Sequence, residues 1–366
     1  MHNITVSRTA QPRTRPPADA DLGFGRYFTD HAFVMRWTSA KAWHDAAVVD
    51  RDALPNLNPA AKVLHYGQGV FEGMKAFAGD GVAVNVFRPD SHIKRMNDGA
   101  KRLSLPTVDF EVVWRGLTEL LRLDRAWIPT QPGQSLYLRP VLIGTEPTLG
   151  VSSANECLFY ILASPVGSYY KDEGSGPVRI LATEDYVRAF PGGTGAVKAI
   201  GNYAGSLLAA DIARNHGYAQ VLWLDAVEHR YIEEVGTMNL FLVIDDVLVT
   251  PTLSGTIIPG ITRDSIVKLS RDSGLRVEER RIAIDEVVER AANRSLTECF
   301  GTGTAVVVSP VSTIGYRGQD ILIGSPGQHP VAARLLREIT ELQRGGAVDR
   351  FGWLRRICTL EDSIAA

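Results

Sequence analysis

The sequence predicts an α+β protein of two domains. Its 366 residues exceed the length of one typical domain. Strand-like and helix-like patterns are mixed along the chain, and residues 171–177 form a polar segment with Gly and Pro that suits a linker. We therefore expect a disordered lead at 1–21, a small domain at 22–170, the linker at 171–177 and a larger domain at 178–366.

The first predicted domain contains two clear strands and two clear helices. Residues 135–144 and 157–166 are apolar runs bounded by turn residues, which is typical of buried strands. Residues 91–103 and 111–125 carry apolar side chains at helical spacing, which predicts two amphipathic helices.

The second predicted domain repeats this mixture. Residues 198–214 have the pattern of an amphipathic helix ending at Asn215-His216-Gly217. A hairpin is expected to turn at Asp245-Asp246. The other elements are a strand at 221–225, a helix at 262–274 with Thr262 near its N-cap and Gly274 beyond its end, and a helix at 330–343. A crevice between two such domains is a common place for a cofactor.

Composition excludes several classes of partner. The net charge is -2 and charged residues make up 22% of the chain, so nucleic acid and anionic membranes have no support as partners. The first 20 residues are rich in Pro, Arg and Ala and have no apolar core like that of a signal peptide. Cys157, Cys299 and Cys358 are far apart, which favours a reducing compartment. We expect a cytoplasmic protein.

Common catalytic motifs are missing from the sequence. Val197 precedes Lys198 where a P-loop needs glycine, and residues 67–73 lack the third glycine of a dinucleotide fingerprint. HExxH and GxSxG motifs are absent, and the eight histidines have no metal-ligand spacing. A kinase, a Rossmann dehydrogenase, a zinc hydrolase and a serine esterase are therefore not supported.

Lys198 stands out among eight lysines because its surroundings are neutral. It lies in PGGTGAVKAIGNYAG (191–205), which contains no other charge. Partial desolvation lowers the pKa of an ammonium, and an amine with a depressed pKa suits Schiff-base chemistry. Taken alone, the same pattern also fits an ordinary lysine that reaches solvent from a loop.

The segment GAVKAIGNYAGSLLA closely resembles the cofactor-lysine segment of branched-chain aminotransferases, which are fold-type IV enzymes dependent on pyridoxal 5′-phosphate. Further segments match this family in the same order, and the match covers nearly the whole chain from about residue 22. They are FTDHAFVMRW (28–37), LHYGQGVFEGMKAF (64–77), FRPDSHIKRM (87–96), LYLRPVLIG (136–144), EEVGTMNLF (233–241), IIPGITRDS (257–265) and GTGTAVVVSPV (301–311).

The resemblance implies roles for three residues at the cofactor ring. Lys198 would hold the cofactor as a Schiff base and then move the proton between the substrate Cα and C4′. Glu234 would pair with the pyridine nitrogen and keep it protonated, and Tyr203 would hydrogen-bond the ring oxygen. Without the family, Glu233-Glu234 is also compatible with a surface acidic pair, and Tyr203 with a core tyrosine.

The resemblance also implies a phosphate site. Arg95 matches the phosphate-binding arginine, whose guanidinium can bond a phosphate bidentately. Thr304 and the backbone N–H groups of Ile261 and Thr262 would complete the site, because the start of a helix favours an anion. Gly301 and Gly303 are expected to leave room around Thr304; alternatively, they mark an ordinary turn.

The family's substrate pocket maps onto eight positions that combine an apolar slot with a polar edge. They are Phe28, Tyr66, Phe71, Tyr137, Arg139, Tyr169, Thr237 and Ala305. Thr237 and the Ala305 amide would hold the α-carboxylate, and Arg139 would accept the distal carboxylate of glutamate. Tyr170 is an alternative to Tyr169. Read singly, each aromatic side chain also fits a plain core position.

The resemblance implies a ping-pong exchange of the amino group between Leu, Ile or Val and 2-oxoglutarate in a homodimer, in which one subunit's N-terminal domain shapes the other's site. Val306 and Ser309 stand where some family members carry a redox-active CxxC, so thiol switching is not expected there. The alternatives are a D-amino-acid aminotransferase or an aminodeoxychorismate lyase of the same fold, and a non-catalytic two-domain binding protein.

Overall fold

A computed structural model describes residues 4–79, 83–167 and 176–357. The chain divides into two compact units: unit 1 is Met1–Lys171, Val197–Gly201 and Glu341–Ala366, and unit 2 is Asp172–Ala196 and Asn202–Thr340. These units differ from the predicted domains, because the Lys198 segment and the end of the chain cluster with unit 1. Tyr169, Tyr170, Cys358 and most of the predicted linker lie outside the described residues.

The strands of unit 1 form a single sheet. They are β1 (Thr5–Val6), β2 (His31–Thr38), β3 (Ala42–Asp50), β4 (Gly69–Phe71), β5 (Met74–Ala78), β6 (Val84–Phe87), β7 (Ser135–Gly144), β8 (Glu156–Val166) and β18 (Leu354–Ile357). The order is β1-β3-β2-β8-β7-β5-β6-β18, with β4 also paired to β7. β7 and β8 confirm the strands predicted at 135–144 and 157–166.

The helices of unit 1 cover this sheet. They are α1 (Lys62–Tyr66), α2 (Pro89–Arg102) and α3 (Phe110–Leu123), with 3-10 turns at Arg51–Ala53 and Arg125–Trp127. α2 and α3 confirm the predicted helices. α3 begins where the Asp109 side chain accepts the Val112 N–H, and its buried Leu117 and Leu120 join the core of the unit. Gly116 is required there, since a Cβ would lie 2.3 Å from the Phe33 ring.

Residues 4–21 are ordered, which corrects the predicted disordered lead. β1 pairs in parallel with β3. The Thr9 N–H donates to His31 Nε2 at 2.9 Å, while His31 Nδ1 lies 2.6 Å from the buried Asp124 carboxylate. The Arg13 N–H donates to Asp30 at 2.8 Å. Composition did not predict this order because hydrogen bonds to distant residues, and not an apolar face, hold the segment in place.

Unit 2 also contains one sheet. Its strands are β9 (Val178–Thr183), β10 (Gln220–Leu224), β11 (Ile232–Val235), β12 (Met238–Ile244), β13 (Val247–Pro251), β14 (Val277–Arg280), β15 (Leu296–Gly303), β16 (Val307–Tyr316) and β17 (Gln319–Leu322). The order is β11-β10-β9-β16-β15-β12-β13-β14, with β17 paired to β16 and β11 also paired to β12. The predicted hairpin is confirmed, and Asp245 and Asp246 both have the positive φ that a tight two-residue turn requires.

The remaining helices are α4 (Ile200–Ala204), α5 (Leu207–Asn215), α6 (Ile261–Asp272), α7 (Ile284–Ala292) and α8 (Pro330–Arg344). The continuous helix predicted over 198–214 is wrong, because helix begins only at Ile200 and is interrupted around Gly205, a poor helix former. The N-cap of α6 is Gly260, so Thr262 is the second helical residue. Across the residues described, no helix is long and apolar enough to cross a membrane.

Candidate active site

Lys198 lies in the turn before α4 and is half-buried. Its carbonyl accepts the Phe71 N–H at 3.1 Å, and the next residue, Ala199, forms an antiparallel bridge with Val70. The Lys198 Nζ lies 4.4 Å from the centroid of the Phe71 ring. This placement contrasts with that of Lys94, whose side chain is 78% exposed. The amine is thus held beside an aromatic ring and partly shielded from solvent.

Three further residues predicted for the site lie on one face of the unit 1 sheet. Tyr137, Arg139 and Val141 alternate along β7 on the same face, and Phe71 is directly opposite Val141. The Arg139 guanidinium lies 4.7 Å from the Phe71 ring centroid and donates to Tyr137 Oη at 3.1 Å. Burial raises the pKa of Tyr137, so the phenol remains protonated. We call Lys198, Phe71, Tyr137 and Arg139 the lysine cluster.

Glu72, the residue after Phe71, is fully buried and binds Arg95 bidentately. Arg95 Nε donates to Oε1 at 2.7 Å and Nη2 to Oε2 at 2.9 Å. His92 Nδ1 lies 2.8 Å from Oε2, which also accepts the Gly73 N–H at 3.1 Å. Burial opposes ionisation of Glu72, but Arg95 and His92 outweigh it and hold its pKa well below its usual range. Glu72 therefore fixes the predicted phosphate ligand Arg95.

Replacing Glu72 with glutamine is expected to destabilise the cofactor-free protein by about 3 kcal/mol or more, because Arg95 would stay buried without its counter-charge. Urea unfolding measures this loss. The matched control is Glu119→Gln, which breaks the exposed pair with Arg122 and should cost less than about 1 kcal/mol. Equal costs for the two variants would contradict the structural account.

The pH dependence of the same pair follows from the depressed pKa. A carboxyl with a lowered folded-state pKa stabilises the protein fully above its ordinary value of 4.5 and loses that contribution as the pH falls through the folded-state pKa. The difference in unfolding free energy between the wild type and Glu72→Gln is therefore expected to be constant near neutrality and to shrink in acid. Urea titrations at a series of pH values would measure it.

Gly73 makes room for Tyr137, because a Cβ at Gly73 would lie 1.8 Å from Tyr137 Oη. The ring is also fixed by an edge contact with Phe24, with centroids 4.8 Å apart. Gly73→Ala is expected to displace the phenol, cost about 1–3 kcal/mol, and raise KM more than it lowers kcat. Steady-state kinetics and thermal unfolding test this, with Gly346→Ala, where a Cβ has ordinary room, as the control. An unchanged KM would contradict it.

Two other residues predicted for the substrate pocket have different neighbours. Phe28 is half-buried, with the Arg51 guanidinium 5.7 Å from its ring centroid. Tyr66 is 43% exposed, and its hydroxyl donates to the Leu149 carbonyl. Neither contact involves the lysine cluster.

In unit 2, Glu234 is buried in β11 and held by two hydrogen bonds and one ion pair. Its Oε1 accepts the Asn239 amide at 3.1 Å and the Ile258 N–H at 3.0 Å, and Arg188 Nε lies 2.8 Å from its Oε2. The carboxylate is thereby fixed in one orientation. Thr237 is exposed in the tight turn between β11 and β12. A surface acidic pair at Glu233-Glu234 is excluded, because both side chains are buried.

The start of α6 and the turn at 304–306 carry the predicted phosphate and carboxylate groups of unit 2. No side chain caps the N-terminus of α6, where Ile261 and Thr262 are the first residues. Thr304 and Ala305 lie in the turn that joins β15 to β16, which ends at Val307 with a φ of 67°. A β-branched residue rarely adopts this conformation, and such strain is typical of functional turns.

Three details were not predicted correctly or were missed. A Cβ at Gly301 would lie 2.8 Å from the end of Met238, so this glycine makes room for Met238 and not for Thr304. Glu72 and Arg188 were missed, because each acts through a partner distant in sequence. The sequence did carry a weak signal for Glu72, because His92 and Arg95 are three residues apart on one helix face and can bind the same carboxylate.

Comparison with known proteins identifies the family. The family model for amino-transferase class IV matches residues 69–314, so the chain belongs to the class IV aminotransferases. Branched-chain-amino-acid aminotransferase 2 of Bacillus subtilis (strain 168) is 45% identical over 360 residues, covering 98% of each chain. Branched-chain-amino-acid aminotransferase of Mycolicibacterium smegmatis is 44% identical over 364 residues, covering 97% of this chain and 98% of that relative. Within its family, the chain is a member of the branched-chain-amino-acid aminotransferases.

Solved structures agree with this assignment. The T.th. branched-chain amino acid aminotransferase, solved with pyridoxamine 5′-phosphate, has a TM-score of 0.72 and 29% identity and covers 88% of this chain and 97% of that one. The predicted family, its fold, its transaminase activity and its pyridoxal 5′-phosphate cofactor are confirmed. The residues fit that group: a half-buried lysine for the aldehyde, a fixed buried carboxylate for the ring nitrogen and an uncapped helix start for the phosphate.

Proposed function

We propose that the enzyme transfers the amino group of L-leucine, L-isoleucine or L-valine to 2-oxoglutarate, giving the branched-chain 2-oxo acid and L-glutamate. The observation that carries this proposal is the lysine cluster, in which an amine, an apolar ring and a guanidinium with its bonded phenol share one face. Pyridoxal 5′-phosphate supplies the electron sink that stabilises a carbanion at the substrate Cα.

The residues around the ring have separate tasks. Lys198 Nζ takes the proton from the Cα of the amino acid substrate and, in the second half of the exchange, delivers a proton to the Cα of the 2-oxo acid. The side-chain tether keeps the amine near that carbon. Glu234 would pair with the pyridine nitrogen through a carboxylate that Arg188 and Asn239 hold in place. Tyr203, half-buried in α4, would donate a hydrogen bond to the ring oxygen.

Thr304 and the N–H groups of Ile261 and Thr262 would hold the phosphate, and the family resemblance adds Arg95 to this set. The support in unit 2 is the N-terminus of α6, where the amides and the helix dipole favour an anion and no side chain competes as a cap. Arg95 is held by its two bonds to Glu72, and a guanidinium is a group that can bond a phosphate bidentately.

Substrate binding needs an apolar slot with a polar edge, because the site takes a branched side chain and a dicarboxylate in turn. Phe71 and Tyr137 offer the apolar surface, with Phe28 and Tyr169 as further members. Arg139 binds the distal carboxylate of 2-oxoglutarate, because a planar guanidinium can donate two parallel hydrogen bonds to a carboxylate. Thr237 and the Ala305 N–H bind the α-carboxylate.

We further propose a homodimer in which Tyr66 serves the partner's site. Tyr66 is exposed beside other exposed apolar side chains of unit 1, at Leu64, Leu149 and Val151, and such patches mark interfaces. Mixing Tyr66→Ala subunits with Lys198→Ala subunits is expected to restore up to about a quarter of the wild-type activity, because only hybrid dimers contain one intact site. No recovery in a mixture shown to exchange subunits would contradict this arrangement.

The compartment is proposed to be the cytoplasm. Cys157 and Cys299 are free and buried, and burial raises the pKa of both thiols, to about 12 for Cys157. Thiols kept protonated in this way are inert, as suits a reducing compartment.

Substrate assays test the activity. L-leucine, L-isoleucine and L-valine are each expected to be turned over with 2-oxoglutarate. Turnover of D-alanine alone, or release of pyruvate from aminodeoxychorismate without transamination, would replace this proposal with one of the two same-fold alternatives.

A further inference from the structure

A cavity of about 370 Å³ lies within unit 2 and is lined by Glu233, the residue before Glu234. Successive side chains of a strand point to opposite faces, so Glu233 and Glu234 belong to opposite faces of β11. The cavity therefore has no part in the roles proposed for Glu234. Its volume is in the range of small-molecule sites.

Glu233 is 5% exposed and only partly satisfied. Its Oε1 accepts a hydrogen bond from the Thr256 hydroxyl, and Ser254 Oγ lies 2.6 Å from that hydroxyl. Its Oε2 is buried and has no hydrogen-bond partner anywhere in the described chain. A buried polar atom without a partner costs about 1–3 kcal/mol, so its presence calls for an explanation such as a bound donor.

The other charged residues of the cavity wall favour a cation. Asp225 is ionised, because it accepts four backbone N–H groups that hold its pKa below the usual value against burial. Glu228 lies on the wall too and binds Arg281 at 2.9 Å. Three acidic residues thus line the cavity against the single cation Arg281 among the described wall residues.

Apolar side chains supply the rest of the wall. Ile232 and Ile257 are buried, and Val227 lies at the exposed edge. Tyr231 is covered by Arg281, whose guanidinium lies 3.4 Å from the ring centroid. An occupant needs a compact apolar body and a strong donor at one end.

We propose that this cavity binds a small primary ammonium compound, whose N–H groups bond Glu233 Oε2 and whose apolar body packs on Ile232 and Ile257. Two sources share this chemistry. One is a simple alkylamine; the other is an apolar amino acid whose carboxylate reaches Arg281.

The test is calorimetric titration of 3-methylbutylammonium and of L-leucine into the pyridoxamine-phosphate form of the enzyme, which has no aldehyde to condense with an amine. Glu233→Gln is expected to weaken binding of the amine about tenfold or more, the usual effect of losing a charged hydrogen bond. The matched control Glu228→Gln removes the same charge from the same wall and is expected to change affinity less than about threefold.

Arg281→Gln separates the two sources. If the amino acid is the occupant, this substitution is expected to weaken the binding of L-leucine and to leave the binding of the amine unchanged. If the alkylamine is the occupant, the affinities for both compounds are expected to stay unchanged. Equal weakening by Glu233→Gln and Glu228→Gln would overturn the proposal, because long-range charge alone would then explain binding.

Thermal unfolding checks that Glu233→Gln folds. The melting temperature is expected to stay level or rise, because the amide removes a buried carboxylate that the protein alone does not satisfy. A marked fall would indicate a structural role and count against a ligand site. Crystals saturated with 3-methylbutylammonium give an independent measurement, and water alone beside Oε2 would overturn the proposal.

Discussion

Lys198→Ala is expected to abolish transamination, with a fall in kcat of at least about a thousandfold. In the proposed mechanism the variant loses both the group that binds the cofactor covalently and the base that moves the Cα proton, and general acid–base catalysis alone contributes about 10²–10⁴-fold. Initial rates with L-leucine and 2-oxoglutarate give the first measurement. Borohydride reduction followed by peptide mass mapping gives a second, because a pyridoxyl group should appear on the 191–205 segment of the wild type and be absent from the variant.

The control for this prediction is Lys94→Ala. Lys94 is exposed on α2, where it forms a surface pair with Asp98, so its loss should leave kcat within about twofold. A pyridoxyl group found on Lys75, or on any lysine other than Lys198, would contradict the assignment even if activity fell. Lys75 is the most informative alternative site for the pyridoxyl group, because burial lowers its pKa to about 8 and it lies opposite Tyr137 in the sheet.

Glu234→Gln is expected to lower kcat about 10²–10³-fold while the protein keeps its fold. An amide cannot balance the charge of a protonated pyridine nitrogen, so the electron sink is weakened, and the loss of one fixed electrostatic partner in an active site has about this effect. The substitution preserves shape and can still accept from Asn239 and Ile258, but it leaves the buried Arg188 without its counter-charge, so the melting temperature should fall while the protein stays folded.

Glu289→Gln, on the exposed surface of α7, is the charge-matched control and should retain activity. Absorbance of the bound cofactor offers a readout apart from turnover, since its visible band depends on the protonation of the ring. A Glu234→Gln enzyme with wild-type kcat and spectrum would contradict the role assigned to this carboxylate.

Elements with strong local patterns could be predicted from the sequence alone. β7 and β8 were located to within a residue because each is a largely apolar run between turn residues. α3 was evident from its spacing. The helix predicted over 198–214 was too long, because its apolar residues continue through glycines that locally favour turns. The place where the turn ends is visible only in the structure, from the backbone hydrogen bond between Phe71 and Lys198.

The candidate site was predicted through the family resemblance more than through the residues themselves. Lys198 was singled out because its neighbours in the sequence are uncharged, and the structure places its amine beside the Phe71 ring. Glu72 could not be predicted, because its importance depends on a pairing with Arg95, 23 positions further on, that the fold alone creates. Order in residues 4–21 depends on similar long-range bonds.

The five residues Val197–Gly201 belong to unit 1 although the chain on both sides of them belongs to unit 2. A gene fragment that begins at residue 178 would therefore encode Lys198 but not β4, the strand that its segment contacts, and a fragment that ends at residue 170 would encode β4 without Lys198. Either fragment alone is therefore expected to be inactive, because each lacks a part that the other encodes.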